Sequence, residues 1–138
     1  MTAGEGMATG RAMHDALPSR EVAAVAARAA ADKQATDIVV LDVHELIVIT
    51  DYFVICSAST KRQVKTVIEE IERAIRELGE KPIRREGEED GGWWLLDYFD
   101  VVVHVFGDEE RAYYDLERLW KDAPRVEWQT SDEAASSR

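Results

Sequence analysis

The sequence predicts one domain with a layered fold of the α/β or α+β class, in which helices cover a mixed sheet. Two patterns lead to this prediction. Apolar residues recur at helical spacing between Val64 and Leu78, and short runs rich in β-branched residues precede and follow that helix. The predicted order helix–strand–strand–helix–strand–strand–strand–helix combines parallel pairing around the central helix with an antiparallel hairpin after it.

The length supports a single domain with a single core. The chain has 138 residues, of which 46% are apolar, and this is ordinary for a globular protein. Residues 1–18 are rich in Gly, Ala and Thr without periodicity, so we expect a disordered leader there. The folded domain is predicted over residues 19–125, and residues 126–138 are predicted to form a disordered tail.

The first three elements are predicted from local composition. An alanine-rich helix is expected from Ser19 to about Lys33, with Ser19 as its N-cap. Residues 37–43 are rich in β-branched residues and predict a strand. Residues 52–57 are nearly all apolar, which is typical of a central strand that is covered on both faces. The apolar stripe of the helix is expected to consist of Val22, Val25, Ala26 and Ala29.

The central helix has the strongest signals. Thr60, followed by Gln63 three residues later, matches a capping box at its start. Gly79 stands where a helix commonly ends in a left-handed residue. One face of this helix is apolar along its whole length, and that face consists of Val64, Val67, Ile68, Ile71, Ala74, Ile75 and Leu78.

The C-terminal half predicts a hairpin and a last helix. Residues 82–86 form a possible edge strand, residues 87–92 a charged loop, and residues 93–98 and 100–106 the two strands of the hairpin. Strand alternation places Asp97 on one face with Trp93 and Leu95, and His104 on one face with Val102 and Phe106. The last helix is expected from Asp108 to Lys121, with a buried stripe of Ala112, Tyr113, Leu116, Leu119 and Trp120; Tyr114 lies on its far side, nearer to Arg111 and Arg118.

Charge is unevenly distributed along the chain. There are 28 acidic and 17 basic residues, for a net charge of −11, which argues against non-specific binding of nucleic acid. Residues 86–122 contain twelve acidic and three basic residues and so carry most of this charge. Two interpretations stay open: a solvated acidic surface, or an acidic docking face for a basic partner.

Few residues suggest catalysis or metal binding. Cys56 is the one cysteine, which excludes an internal disulfide and a Cys-rich zinc site, and the three histidines are not spaced as ligand pairs. His104 is expected to be structural, or to act at an interface. The Ser57–Thr60 turn either caps the central helix or holds an anion. We therefore expect no metal and no cofactor. Neither a signal peptide nor a membrane span is evident, so a soluble cytoplasmic protein is expected.

Several of these motifs, in order, resemble the Iojap/RsfS family over about residues 20–122. The first half of the resemblance is Asp37-Ile-Val-Val-Leu-Asp-Val43, Thr50-Asp-Tyr-Phe-Val-Ile-Cys-Ser57 and Gln63-Val64. The second half is Glu86-Gly87, Trp93 with Leu95-Leu96-Asp97, Asp100-Val-Val-Val-His-Val-Phe106, Arg111, Tyr114, Leu116-Glu117 and Leu119-Trp120. The resemblance implies an α/β domain with a mixed five-stranded sheet and flanking helices, related to nucleotidyltransferases but without their catalytic residues.

The family resemblance also implies a function, which is that of a non-enzymatic ribosomal silencing factor. Such a protein binds a basic large-subunit ribosomal protein, blocks subunit joining and represses translation when nutrients are short; when free, it often forms a homodimer. The expected contact residues are Trp93, Asp97, His104, Phe106 and Tyr114.

Two alternatives to a silencing factor stay open. One is a small nucleotide-binding or nucleotidyltransferase-like enzyme that uses the Ser57–Thr60 turn with Asp97 and Asp100. Ala58 stands where many family members have Gly, and no Asp-x-Asp pattern follows the turn, and both features weaken this alternative. The other is a dimeric adaptor that makes no contact with the ribosome.

Overall fold

One mixed sheet organises the computed structural model, which describes residues 18–87 and 92–129 of the chain. Its five strands in these ranges are β1 (Thr36–Asp42), β2 (Tyr52–Ala58), β3 (Arg84–Gly87), β4 (Trp93–Asp97) and β5 (Val101–Gly107). Their spatial order is β1-β2-β5-β4-β3. β2 and β5 are parallel and the other neighbours are antiparallel, which confirms the predicted α/β fold with a mixed five-stranded sheet.

Two long helices cover one face of the sheet, called here the helical face. They are α1 (Ser19–Asp32) and α2 (Lys61–Glu77), and they pack against each other and against the sheet. The predicted apolar stripes supply the contacts, because these are the side chains that leave water when the helices pack. The buried sheet residues beneath the helices include Val40, Val54, Cys56, Leu96, Val103 and Val105.

The ends of α1 and α2 follow the predicted chemistry only in part. Thr60 caps α2 by accepting the Gln63 backbone N–H at 3.1 Å, but the Gln63 amide donates to the Lys33 carbonyl at 2.9 Å and does not complete a capping box. Gly79 ends α2 with φ +92°, as predicted. Ser19 is not the N-cap of α1: Pro18 takes that position, and the Ser19 hydroxyl donates to Asp51 instead.

The prediction of one continuous last helix is wrong, because the helix is interrupted at Asp115. This residue has φ +49° and separates α3 (Asp108–Tyr114) from α4 (Leu116–Leu119). The break turns the second half of the expected stripe away from the first. Tyr113 and Leu119 are 82% and 71% exposed, and so they are not core residues as expected.

The chain after α4 covers the end of β1 at the outer edge of the sheet. The Asp42 N–H donates to the Pro124 carbonyl at 2.9 Å, and the Val126 N–H donates to the Val40 carbonyl at 2.8 Å. Trp128 packs against the helical core, and its carbonyl accepts from Arg28 at 3.0 Å. The packed chain therefore continues beyond the boundary expected at residue 125.

Three expected segments lie outside the described ranges. They are the leader up to residue 17, residues 88–91 of the charged loop, and residues 130–138 of the tail. Within those ranges, no helix combines the length and the apolar character that a membrane span requires.

Candidate functional site

A group of neighbouring aromatic side chains lies on the sheet face opposite the helical face, and we call this face the aromatic face. Strand register brings them together: Trp93 pairs with Phe106, Leu95 with His104, and Asp97 with Val102. The β2 residues opposite His104 and Val102 are Ile55 and Phe53. Because alternate residues of a strand share a face, the aromatic face consists of Phe53, Ile55, Trp93, Leu95, Asp97, Val102, His104 and Phe106.

The C-terminal segment covers only part of this face. Leu116 and Trp120 pack over the β1 and β2 side, where the Trp120 ring meets Phe53 edge-on at 5.5 Å between centroids. On the other side, Leu95 and Trp93 stay half-buried and the β3 side chains are exposed. The uncovered half of the aromatic face therefore lies over β4 and β3.

Four rings form one cluster at the border between the covered and uncovered halves. The Trp93 ring lies nearly parallel to those of Phe106 and His104, with centroids 5.5 Å and 6.0 Å away. Tyr114 packs at 5.3 Å from Trp93 and 5.9 Å from Phe106. This ring cluster of Trp93, His104, Phe106 and Tyr114 includes four of the five residues that the sequence predicted as contacts.

Members of the ring cluster differ in exposure, and so in what they can touch. Phe106 is 1% exposed and His104 is 8% exposed, whereas Tyr114 is 39% exposed and Trp93 is half-buried. Phe106 therefore supports the other rings from beneath and offers no area to a partner. Trp93 and Tyr114 present the accessible ring surface.

His104 is held as a neutral ring. The Trp93 indole N–H donates to His104 Nδ1 at 3.3 Å, and an atom that accepts a hydrogen bond carries no proton. Burial lowers the pKa of His104 from its ordinary 6.5 to about 4, because the charged imidazolium would lose its hydration. His104 therefore orients Trp93 as an acceptor at neutral pH.

The burial of His104 predicts that stability falls with acid. Since the folded-state pKa lies below the unfolded one, the contribution of this group is complete above pH 6.5 and is lost as the pH falls towards 4. Between pH 7.5 and 4.5 the native protein should lose about 2 kcal/mol through this group. His104→Asn keeps an acceptor for Trp93 but does not titrate. In urea unfolding, the difference in free energy of unfolding between the native chain and this variant should therefore shrink by about 2 kcal/mol from pH 7.5 to pH 4.5.

His44 is the control for this titration, because its pKa moves in the opposite direction. This exposed residue is hydrogen-bonded to Asp42, which raises its pKa, so its contribution is present at low pH and fades as the pH rises. Removing His44 should therefore leave the acid-side loss in place. Parallel pH curves for the native chain and His104→Asn would contradict the assignment.

Asp97 is already paired within the protein. Its carboxylate accepts from Arg84 at 3.1 Å and from the Phe99 backbone N–H at 2.8 Å. It therefore shapes the hairpin turn and anchors Arg84 across β3 and β4. Leu95, which was not among the predicted contacts, lies between Asp97 and Trp93 on the same face and is half-buried. Strand alternation alone identifies it as part of this surface.

Negative charge borders the ring cluster at the first turn of α3. Asp108, Glu109 and Glu110 occupy this turn, where the helix dipole favours acidic groups. The Glu110 carboxylate lies so close to Gly92 and Gly107 that a Cβ at either position would collide with it. These glycines directly precede Trp93 and follow Phe106, so Glu110 lies beside the ring cluster.

Arg111 is the main structural residue that sequence reasoning missed. It was expected on the exposed side of the last helix near Tyr114, but it is buried. Its guanidinium donates to both carboxylate oxygens of Glu117 at 3.2 Å and 2.6 Å, and to the Ser57 hydroxyl at 3.1 Å. This bidentate pair joins α3 to α4 and ties both to β2.

The structure does not assemble the alternative nucleotide site. Ser57 lies opposite Phe106 near the end of β5, whereas Asp97 lies opposite Val102 near its start. Four residues of strand separate these levels by about 13 Å, and the Ser57 hydroxyl is engaged by Arg111. Among residues 18–87 and 92–129, no group of three or more His, Cys, Asp or Glu is arranged to hold a metal ion.

Comparison with known proteins identifies relatives along most of the chain. A family model described as "RsfS: Ribosomal silencing factor during starvation" matches residues 16–138. Ribosomal silencing factor RsfS of Halalkalibacterium halodurans is 41% identical over 111 residues, which is 80% of this chain and 95% of that protein. A crystal structure of a Chromobacterium violaceum protein matches with a TM-score of 0.71 at 34% identity, over 74% of this chain and 85% of that one.

A more distant relative comes from the mouse. Mitochondrial assembly of ribosomal large subunit protein 1 is 30% identical over 91 residues, which is 64% of this chain but only 40% of that protein. The bacterial matches extend over nearly the whole folded domain and share its architecture. The chain belongs to the RsfS family of ribosomal silencing factors.

Proposed function

We propose that this protein silences ribosomes in the cytoplasm by binding the large subunit through the uncovered half of its aromatic face. The contact is a basic ribosomal protein at the surface where the two subunits meet. Once bound, the protein obstructs the small subunit and represses translation under nutrient limitation, with no chemical step. The names of the relatives, ribosomal silencing factor and mitochondrial assembly of ribosomal large subunit protein, support a ribosomal partner.

The ring cluster is the observation that carries this proposal. Trp93 and Tyr114 offer accessible ring area, and Phe106 packs beneath both of them. Rings held in place lose little conformational freedom on binding, and for this reason Trp and Tyr are common interface hot spots. Leu95 continues this apolar surface along β4. His104 and Asp97 act from within, since the first orients Trp93 and the second holds Arg84.

Charge supports a basic partner. The first turn of α3 places Asp108, Glu109 and Glu110 next to the ring cluster, and Glu86 lies across from Leu95 on β3. An acidic border of this kind attracts a basic surface over a Debye length and raises the association rate. The rate of binding to large subunits is therefore expected to fall as salt is raised, while the apolar contacts keep the complex from dissociating quickly.

Subunit joining tests this function directly. Purified large and small ribosomal subunits are mixed in magnesium buffer with and without an excess of the protein, and the particles are separated on a sucrose gradient. We expect fewer joined ribosomes, with the protein found in the large-subunit fraction. Equal joining in both samples would reject obstruction. Joining that is blocked while the protein travels with the small subunit would reject the proposed partner.

The oligomeric state of the free protein is a separate proposal. We expect a homodimer, since the exposed side chains Tyr113 and Leu119 lie beside Tyr114 of the ring cluster and a second copy can cover all three. Sedimentation equilibrium over a range of concentrations should then give twice the monomer mass. Addition of large subunits is expected to dissociate the dimer if both contacts use this surface. A monomer at all concentrations would exclude the dimer.

A further inference from the structure

Four cationic side chains lie together on the outer side of the helices, on a chain whose net charge is −11. Lys61, Arg62 and Lys65 belong to the first two turns of α2 and are exposed. Lys33 at the end of α1 joins them, because its carbonyl accepts from the Gln63 amide at 2.9 Å. We call these four cationic residues the basic patch. Within the part of the chain that the structure describes, none of the four has a carboxylate within 4 Å.

The second half of α2 differs from the basic patch, since its arginines are paired. Arg73 donates to both carboxylate oxygens of Glu70 at 3.0 Å and 2.6 Å, and Arg76 lies 3.8 Å from Glu72. The first turn of α2, by contrast, contains no acidic residue, although the helix dipole favours acidic groups there and disfavours cations. The stability of the helix therefore does not explain the basic patch, which points to an anionic partner.

The basic patch and the ring cluster flank the same end of the sheet on opposite faces. Ala58 ends β2 opposite Gly107 at the end of β5, and α2 begins three residues later. On the helical face, Lys65 lies over the Trp94 ring at 5.8 Å from its centroid. Trp93, the preceding residue of β4, belongs to the ring cluster on the other face. One ribosomal surface can therefore be contacted by both.

We propose that the basic patch contacts phosphates of ribosomal RNA when the aromatic face binds the large subunit. This contact rests on the proposed function, because a chain with a net charge of −11 is repelled by free RNA. Exposed lysine and arginine side chains neutralise phosphates and release the counterions bound to them. The observations favour RNA over an anionic membrane, because the apolar face of α2 is buried against the sheet and cannot enter lipid.

The salt dependence of binding to large subunits tests this contact. The variant Lys61→Gln with Arg62→Gln and Lys65→Gln loses three cations, and co-sedimentation at several salt concentrations gives its Kd. We expect binding about tenfold weaker at low salt and a slope of log Kd against log salt that is smaller by about 3. The control is Arg73→Gln with Arg76→Gln, which removes two paired cations from the same helix and should keep the native Kd and slope.

Tethered iron–EDTA shows whether the partner is RNA. The chelate is attached to Thr66→Cys, an exposed position beside the basic patch, or to Glu77→Cys, an exposed control about 16 Å further along α2. Cys56 is buried and burial raises the pKa of its thiol to about 12, so it does not react with the reagent. Hydroxyl radicals formed on bound large subunits should cut RNA strands strongly from position 66 and weakly from position 77.

The outcomes separate this contact from the proposed function. If the native protein does not sediment with large subunits, both are rejected. If it does, but the triple variant binds equally well with the same salt slope, the RNA contact alone is overturned. Weaker binding of the triple variant without RNA cleavage from position 66 would assign the basic patch to an acidic protein instead. Binding to phosphatidylglycerol vesicles that only the triple variant loses, with native binding to large subunits, would assign it to a membrane.

Discussion

Replacing Trp93 with alanine is expected to weaken binding to the large ribosomal subunit by about 2 kcal/mol or more, roughly thirtyfold in Kd. The indole supplies accessible ring area, and its removal also leaves His104 and Phe106 without the ring that stacks on them. Tyr114→Ala should act in the same direction, because Tyr114 packs on Trp93 and Phe106 of the cluster. Co-sedimentation with large subunits over a range of protein concentrations measures both losses.

Trp94→Ala is the matched control for this experiment. Trp94 is the same residue type at the next position of β4, but it points to the helical face, where Arg85 lies over its ring at 4.6 Å. Its loss should lower stability and leave subunit binding intact. Equal weakening by Trp93→Ala and Trp94→Ala would show a general effect on folding. Unchanged binding after both Trp93→Ala and Tyr114→Ala would reject the aromatic face as the docking surface.

Arg111→Ala is expected to lower the free energy of unfolding by about 3 kcal/mol, because a buried ion pair loses one partner and Glu117 stays behind uncompensated. The guanidinium is nearly enclosed and spans α3, α4 and β2 through Glu117 and Ser57. Without it α4 should detach from the sheet first. Urea unfolding gives the stability, and hydrogen exchange should show faster exchange at Leu116–Leu119 than in α2.

Arg118→Ala controls for the loss of an arginine in the same segment. Arg118 is exposed, so its removal should change stability by less than about 0.5 kcal/mol. The double variant Arg111→Met with Glu117→Leu is expected to recover part of the stability lost in Arg111→Ala, since neither charge is then left unpaired. A loss below 1 kcal/mol in Arg111→Ala would contradict the importance of the pair.

The elements set by local periodicity were predictable from the sequence. The apolar face of α2, its Thr60 cap and Gly79 at its end each depend on neighbours within four residues, and all three are present. The central position of β2 followed from its apolar composition, and it lies between β1 and β5. In these segments the local pattern and the tertiary packing favour the same conformation.

The prediction of one continuous C-terminal helix was wrong because the backbone conformation of a single residue ends the helix early. Asp115 adopts a left-handed backbone conformation. Asp tolerates this conformation, but the presence of an Asp in the sequence does not predict it. Once the helix breaks there, Arg111 and Glu117 meet although their spacing of six residues is not a helical one. Arg111 was therefore expected on the exposed side, and Tyr113 and Leu119 were expected inside.

The residues that share the face of the candidate site were predictable from the sequence, but the burial of each of them was not. Alternation along β4 and β5 placed Trp93 with Asp97, and His104 with Phe106, correctly on shared faces. Which of these side chains reach solvent depends on the position of Tyr114 and on how α3 packs against the sheet. The periodicity of the sequence predicts neither of these. Phe106 and His104 are therefore beneath the surface that Trp93 and Tyr114 form.

The two edge strands of the sheet differ in how readily a further strand can pair with them. The outer side of β1 is hydrogen-bonded to Pro124 and Val126 at Val40 and Asp42, so a foreign strand cannot pair with this end of β1. β3 leaves its outer backbone groups unpaired by strands in the described chain, but it has only four residues, of which Arg84, Arg85 and Glu86 are charged. Short charged borders resist amyloid-like stacking. Cutting the chain before Pro124 would expose this end of β1 and should increase aggregation, which light scattering can measure.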